Sequence, residues 1–237
     1  MTAEKGWRIE FDEGQIERLE GESFRRILAR SSGRDDWAAA LADARALVQP
    51  AAVWDFRPVR EVRHQQVVLD DGTRLGGGPF ASVVAGATHL VIALCTIGSA
   101  LSDRVRELQG GRHMLRGLLL DDLGSWAVDM VRQGFCRRME EEAAAAGLHV
   151  STCLSPGESV WPLQDQGVIF SLVEAARIGV TLSASLVMTP LKSLSLVMGR
   201  GPVQKGHEGG SNCDFCAVND RCVYRNRRAS AAQGKDT

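Results

Sequence analysis

Apolar residues recur at helical spacing from the start of the chain. Ile16, Leu19, Phe24, Ile27 and Leu28 form a stripe that predicts a helix over residues 14–31. A second helix is expected after Asp35 and Asp36, both good N-cap residues. It turns Trp37, Leu41, Ala44, Leu47 and Val48 inward and has Pro50 beyond its end. Residues 62–75 read as a hairpin: Val67-Val68-Leu69, then Asp71-Gly72, then a return strand. The Gly76-Gly77-Gly78 run marks a flexible connection, since neither a lysine nor a spaced fingerprint follows to make a phosphate site.

Residues 89–95 are continuously apolar, as a central strand requires, and the run ends at Thr96-Ile97-Gly98. A helix through Leu101, Val105 and Leu108 follows, stopped by Gly110-Gly111. A long helix is then expected over 113–146, with Leu115, Leu118, Leu119, Leu123, Trp126, Met130 and Val131 inward. Asp121 and Asp122 interrupt its apolar stretch. One of them pointing into a site is the sharper reading; a loop cap and a solvated carboxylate is the commoner one.

Residues 149–153 read as a strand running into the loop Leu154-Ser155-Pro156-Gly157-Glu158-Ser159, and residues 163–176 as a helix. Residues 180–188 alternate strictly, Thr189-Pro190 breaks the run, and Leu194, Leu196 and Met198 resume it. Two neighbouring period-2 runs predict antiparallel strands covered on one face. Strands mixed with helices, without a regular βαβ repeat, define an α+β class. The expected division is a helical N-terminal part over 1–50, an α+β domain over 51–200, a cysteine-bearing loop over 201–228 and a disordered polar tail over 229–237.

Composition narrows the function classes. The chain has 237 residues, 44% hydrophobic and 24% charged, with a formal net charge of −1. That balance disfavours nucleic acid and anionic membrane surfaces as partners. The longest apolar run is too short to span a bilayer, and the first residues lack the basic and apolar regions of a signal peptide. Of the 6 cysteines, Cys95, Cys136 and Cys153 sit in apolar contexts, while Cys213, Cys216 and Cys222 crowd together near the end. A cytoplasmic location, with thiols or metal thiolates rather than disulfides, fits this usage.

Cys213-Asp-Phe-Cys216-Ala-Val-Asn-Asp-Arg-Cys222 is the strongest chemical signal. A C-x2-C pair brings two thiolates from one tight turn to the same metal, and Cys222 follows shortly after. The surrounding glycine-rich segment carries few apolar residues, so a metal is a natural organiser. Three thiolates suit an iron–sulfur cluster with one further ligand, or zinc with a fourth Cys or His. His207 and Cys153 are the candidates for that fourth position, and a buried, non-ligating role is the commoner fate of a lone strand cysteine. Cys95 and Cys136 read as core residues. The remaining histidines, His64, His89, His113 and His149, show no ligand spacing.

Several segments resemble one family. Leu90-Val-Ile-Ala-Leu-Cys-Thr-Ile-Gly-Ser and Leu118-Leu-Leu-Asp-Asp-Leu-Gly-Ser-Trp-Ala-Val are similar to the activation domain of cobalamin-dependent methionine synthase. So are Leu154-Ser-Pro-Gly-Glu-Ser-Val-Trp-Pro-Leu and Ile178-Gly-Val-Thr-Leu-Ser-Ala-Ser-Leu-Val-Met-Thr-Pro-Leu-Lys-Ser-Leu-Ser. The order of motifs is kept over residues 85–200, and the likeness is greatest to short stand-alone relatives ending in a cysteine cluster. The resemblance implies a twisted antiparallel sheet flanked by helices. It also implies work on a corrinoid, with cobalamin carried by a partner methyltransferase or corrinoid-binding protein, since no cobalamin-binding segment occurs here.

The resemblance further implies an S-adenosylmethionine loop at Ser155, Pro156, Gly157 and Glu158. In that family an arginine stands three residues before the Pro-Gly and a tyrosine just after it. Here Cys153 and Glu158 occupy those positions, so the carboxylate of the methyl donor loses a bidentate partner and meets a negative charge. The expectation is therefore an exchanged site. Cys153, Cys213, Cys216 and Cys222 would hold a 4Fe-4S cluster, with zinc as the alternative, and the cluster would pass an electron from a donor to the corrinoid. Retained S-adenosylmethionine binding and a zinc-stabilised docking subunit are the competing expectations. No catalytic acid–base pair or triad is visible.

Overall fold

The structure, a computed structural model, describes residues 1–77, 79–158 and 161–203, apart from the side chains of residues 17–21 and 23. Along the chain lie β1 (Thr2–Lys5), α1 (Glu13–Leu28), α2 (Ser31–Leu47), β2 (Ala51–Val62), β3 (Gln66–Leu69) and β4 (Arg74–Gly76). Then come α3 (Phe80–Val83), β5 (His89–Thr96), α4 (Ala100–Gln109), α5 (Met114–Ala145) and β6 (His149–Val150). The described part closes with α6 (Asp165–Leu172), a 3-10 turn (Ala175–Ile178), β7 (Thr181–Leu182), β8 (Met188–Thr189) and β9 (Ser193–Gly201).

The main sheet runs in the order β4-β3-β2-β5-β9-β6, with β1 added on β2. All its pairs are antiparallel. β5 is central: it pairs with β2 from Ala51↔Thr96 to Pro58↔His89, and with β9 from His89↔Arg200 to Thr96↔Ser193. With β5 on one edge of β2, the other edge is shared by β1, against Ala51 to Trp54, and β3, against Val59 to Val62. A register shift between Val59 and Glu61, inside the segment paired with β3, adds a local bend to β2.

Both faces of β5 are covered, which explains its unbroken apolar run. Val91, Ala93 and Cys95 face one core with Trp54, Leu120, Phe135 and Met139. Leu90, Ile92 and Leu94 face another with Phe80, Trp161 and Ile169. Helices α1, α2, α4 and α5 cover the first face, so the N-terminal helices share a core with the sheet. The α+β class and the antiparallel sheet flanked by helices are as expected.

Four local expectations are corrected. The N-terminal part is not wholly helical, because Thr2–Lys5 joins the sheet. Helix α2 starts at Ser31, ahead of Asp35 and Asp36. Gly33 lets it abut the last turn of α1, where an added Cβ would meet the Ile27 carbonyl oxygen at 2.0 Å. Arg34 then donates to the α1 carbonyls of Leu28 at 3.0 Å and Ala29 at 3.3 Å. Residues 180–188 do not form one long strand. Ser183 Oγ accepts from the Val187 N–H at 3.0 Å, and Leu186 takes φ 63°, so serine chemistry folds the run into the β7–β8 hairpin. Leu118 points outward, 51% exposed, because α5 turns its neighbours Gly117, Leu119 and Leu120 inward. Among the described residues, no helix is long and apolar enough to cross a membrane.

Candidate functional site

The Ser-Pro-Gly segment is carried along the outer edge of β9. Ser151 N–H donates to the Gly199 carbonyl at 2.8 Å, and Gly199 N–H donates to Ser151 Oγ at 2.9 Å. Leu154 and Val197 exchange backbone bonds of 3.0 and 2.8 Å. Between these anchors Thr152 and Cys153 face the single residue Met198, so the edge bulges. The bulge sends Cys153 toward α5 and Leu154 into the opposite core.

Beyond Leu154 the chain makes a tight turn. Glu158 N–H donates to the Ser155 carbonyl at 3.2 Å, with Pro156 and Gly157 at its centre and Gly157 at φ 90°. Proline followed by a positive-φ glycine is the type II pattern, which is why the turn needs that dipeptide. The Glu158 carboxylate folds back to accept from Ser155 N–H at 3.0 Å. Its charge thus closes the turn. Gly157 N–H donates to the Trp161 carbonyl at 2.9 Å, so the turn depends on where Trp161 sits.

Trp161 is fixed on two sides. Its ring stacks on Phe80 at 4.0 Å between centroids, and its indole N–H donates to Asp165 Oδ2 at 2.6 Å. The same oxygen accepts from Gly76 N–H at 2.6 Å. One carboxylate at the start of α6 therefore ties the turn to the end of the β3–β4 hairpin. Sequence reading placed neither Asp165 nor Trp161 in the site, although a Trp-x3-Asp spacing entering a helix was there to be seen.

Cys153, 6% exposed, lies against α5. Its thiol is hydrogen-bonded to that of Cys136, which is half-buried on α5. Arg132 precedes Cys136 by one helical turn and places its guanidinium near both thiols. Asp129 holds that guanidinium through Nε at 2.8 Å and Nη2 at 2.7 Å. The bond from Cys153, helped by Arg132, lowers the Cys136 thiol from its ordinary value. The same bond together with burial raises Cys153 well above it. Burial in β5 raises Cys95 as well. Cys95 is core, as expected; Cys136 is not merely core, because it has a thiol partner.

Cys213, Cys216, Cys222 and the alternative ligand His207 lie outside the described residues. Among the described residues, no group of three or more His, Cys, Asp or Glu is arranged to hold a metal ion. Asp121 forms an ion pair with Lys192 at 2.9 Å, and Lys192 also donates to Ser125 Oγ at 2.7 Å. Asp122 borders a shallow apolar crevice lined by Phe24, Trp37, Leu119 and Trp126.

The curled antiparallel sheet, with its two cores and flanking helices, is an arrangement also found among solved structures. One solved structure similar in fold is the crystal structure of the MetH reactivation domain bound to AdoHcy. The two superpose with a TM-score of 0.55 at 12% sequence identity, over 98% of this chain and 88% of that chain. At this identity the likeness is one of fold. No protein-family model matches the chain, and no curated protein does.

Proposed function

We propose that this chain is an activation component of a cobalamin-dependent methyltransferase system, acting on a corrinoid held by a partner protein. The observation that carries the proposal is the end-to-end likeness of fold to the MetH reactivation domain. In such a system one electron would reduce the partner's cobalt(II), and S-adenosylmethionine would then pass its methyl group to the reduced cobalt and leave as S-adenosylhomocysteine.

That neighbour is bound to AdoHcy, which supports an S-adenosyl ligand for this chain, seated against Ser155, Pro156, Gly157 and Glu158. Two features of the turn favour this seat. Gly157 is exposed and carries no side chain, so a ligand can approach the backbone closely. Arg132, reaching from α5, brings a guanidinium to the neighbourhood of Cys153, where the sequence itself has no cation. That charge is shared with Asp129, so binding of the ligand carboxylate is expected to be weaker than at a free arginine.

A second reading concerns the electron, and the Cys213-x2-Cys216-x5-Cys222 spacing supports it. In this reading the three thiolates hold a 4Fe-4S cluster that receives an electron from a donor protein in a reducing cytoplasm. Cys153 serves as fourth ligand only in a state where its bond to Cys136 is broken. Zinc in the same place carries no electron and leaves a docking or stabilising role.

Titrating the anaerobically purified chain with AdoHcy and S-adenosylmethionine by calorimetry, alongside iron, sulfide and zinc analysis, tests both readings. Saturable binding that weakens in Gly157→Val supports the seat, and its absence removes it. About four irons with matching sulfide support the cluster. One zinc without iron removes the electron-carrying role.

A further inference from the structure

We infer that the adenine ring of the S-adenosyl ligand is read at an open rung of β9, by the main-chain N–H and C=O of Ser195 and by the side-chain amide of Gln166. Successive residues of an antiparallel strand turn their main-chain groups to opposite edges. Gly199 and Val197 turn theirs outward, to Ser151 and Leu154, while the Lys192 carbonyl accepts from the Ile97 N–H just past β5. By the same alternation Ser195 points its N–H and C=O to the outer edge. The segment that fills this edge leaves it at Ser155, where the Ser155–Glu158 turn begins. Neither main-chain group of Ser195 has a partner among the described residues, although the residue is 2% exposed. Buried main-chain groups are nearly always paired, so an open rung in the interior points to an occupant.

A second group at this rung also lacks a partner. Ser195 Oγ donates to Gln166 Oε1 at 2.9 Å, and Gln166, itself 2% exposed, leaves its Nε2 buried and unbonded. Gln166 stands beside Asp165 in the first turn of α6, and Asp165 holds Trp161, whose carbonyl receives the Gly157 N–H. The open rung and the turn are thus parts of one site. Two unmatched donors and one acceptor suit adenine. Its 6-amino group donates to the Ser195 carbonyl, the neighbouring ring nitrogen accepts from the Ser195 N–H, and a further ring nitrogen accepts from Gln166 Nε2. An added β-strand suits the edge less. Between the Leu154 bridge and the start of β9 only Ser195 and Ser193 have outward rungs, both residues are buried, and strands run to about three residues or more. The inference rests on the S-adenosyl reading of the Ser155–Glu158 turn.

The test compares S-adenosylhomocysteine with S-inosylhomocysteine, in which an oxo group replaces the 6-amino group and the adjacent ring nitrogen gains a proton. The unaltered full-length chain is titrated with each by calorimetry, and hydrogen exchange at the Ser195 amide is followed by nuclear magnetic resonance with and without ligand. S-inosylhomocysteine should bind at least about tenfold more weakly, since donor and acceptor are both reversed. S-adenosylhomocysteine should slow exchange at Ser195 in step with saturation. Gln166→Leu should weaken its binding several-fold with unchanged far-UV circular dichroism. Equal affinities for the two ligands, or a Ser195 amide unmoved at saturation, overturn the inference and leave the seat at the turn standing. A Ser195 amide as protected as that of Val197 in the free chain also overturns it, because the chain itself then fills the rung. Failure of S-adenosylhomocysteine to bind at all removes the seat and the inference together.

Discussion

Asp165→Ala removes a carboxylate oxygen on which two donors converge. Trp161 Nε1 and Gly76 N both approach Asp165 Oδ2 at 2.6 Å, and Trp161 is 2% exposed. A hydrogen bond to a charged acceptor contributes about 1.5–3 kcal/mol net. The indole N–H, left unpaired in the core, lies at the upper end. The Gly76 N–H regains water and lies near the lower end. Asp165 also stands in the first turn of α6, where its charge adds about 0.5 kcal/mol. The alanine variant should therefore lose about 5 kcal/mol, a large share of the 5–15 kcal/mol typical of a folded chain. Asp165→Asn keeps an acceptor for both donors and gives up the charge, so it should lose about half as much. Urea unfolding followed by far-UV circular dichroism in the presence of reductant checks this. With a slope of about 3 kcal/mol per molar, the midpoint should fall by roughly 1.7 M for alanine and roughly 0.8 M for asparagine. Equal shifts in the two variants, or an alanine shift under about 0.3 M, would refute the assignment of the bonds to one charged oxygen. The same variant should weaken AdoHcy binding, since the Trp161 carbonyl holds the Gly157 N–H.

Three further outcomes follow from local geometry. Gly157→Ala places a side chain at φ 90° and a Cβ 3.3 Å from Leu163 Cδ1, and should cost about 1–2 kcal/mol by the same urea assay. Gly201→Ala puts a Cβ 2.5 Å from the Gly86 carbonyl oxygen, so β9 must shift at its end; a loss of about 1–3 kcal/mol and a lower thermal midpoint are expected. Cys136 should be alkylated by iodoacetamide at a lower pH than a free thiol near pH 8.5, whereas Cys95 and Cys153 should react only on unfolding. The linkage has a definite sign. Cys95 and Cys153 keep their protons longer in the folded chain, so their contribution is complete below the ordinary thiol range and fades as pH rises above it. Urea midpoints measured across that range should accordingly fall on the alkaline side.

What the amino-acid pattern made legible depended on burial. β5 is enclosed on both faces and both edges, so residues 90–95 had to be apolar, and the run announced itself. β2 passed unnoticed because its second half, from Asp55 onward, is largely half-buried or exposed and contains Arg57, Pro58, Arg60 and Glu61. β1 is short and polar and owes its place to pairing with β2 rather than to its own composition. The alternation over residues 180–188 misled because serine side chains compete with ladder bonds, which no periodicity records. In the candidate site, the Ser-Pro-Gly turn was legible through its turn chemistry. The thiol pair was not: Cys136 and Cys153 lie on separate elements, and only the one-residue bulge opposite Met198 brings them together. Arg132 at helical spacing from Cys136 was the available clue.

The central claim is action on a partner's corrinoid. The most direct measurement is the electron paramagnetic resonance signal of a cobalt(II)-loaded corrinoid methyltransferase, followed anaerobically with S-adenosylmethionine and a low-potential reductant. Adding this chain should accelerate loss of the cobalt(II) signal and form S-adenosylhomocysteine in step. A signal that decays at the same rate with and without the chain, and no S-adenosylhomocysteine, would contradict it.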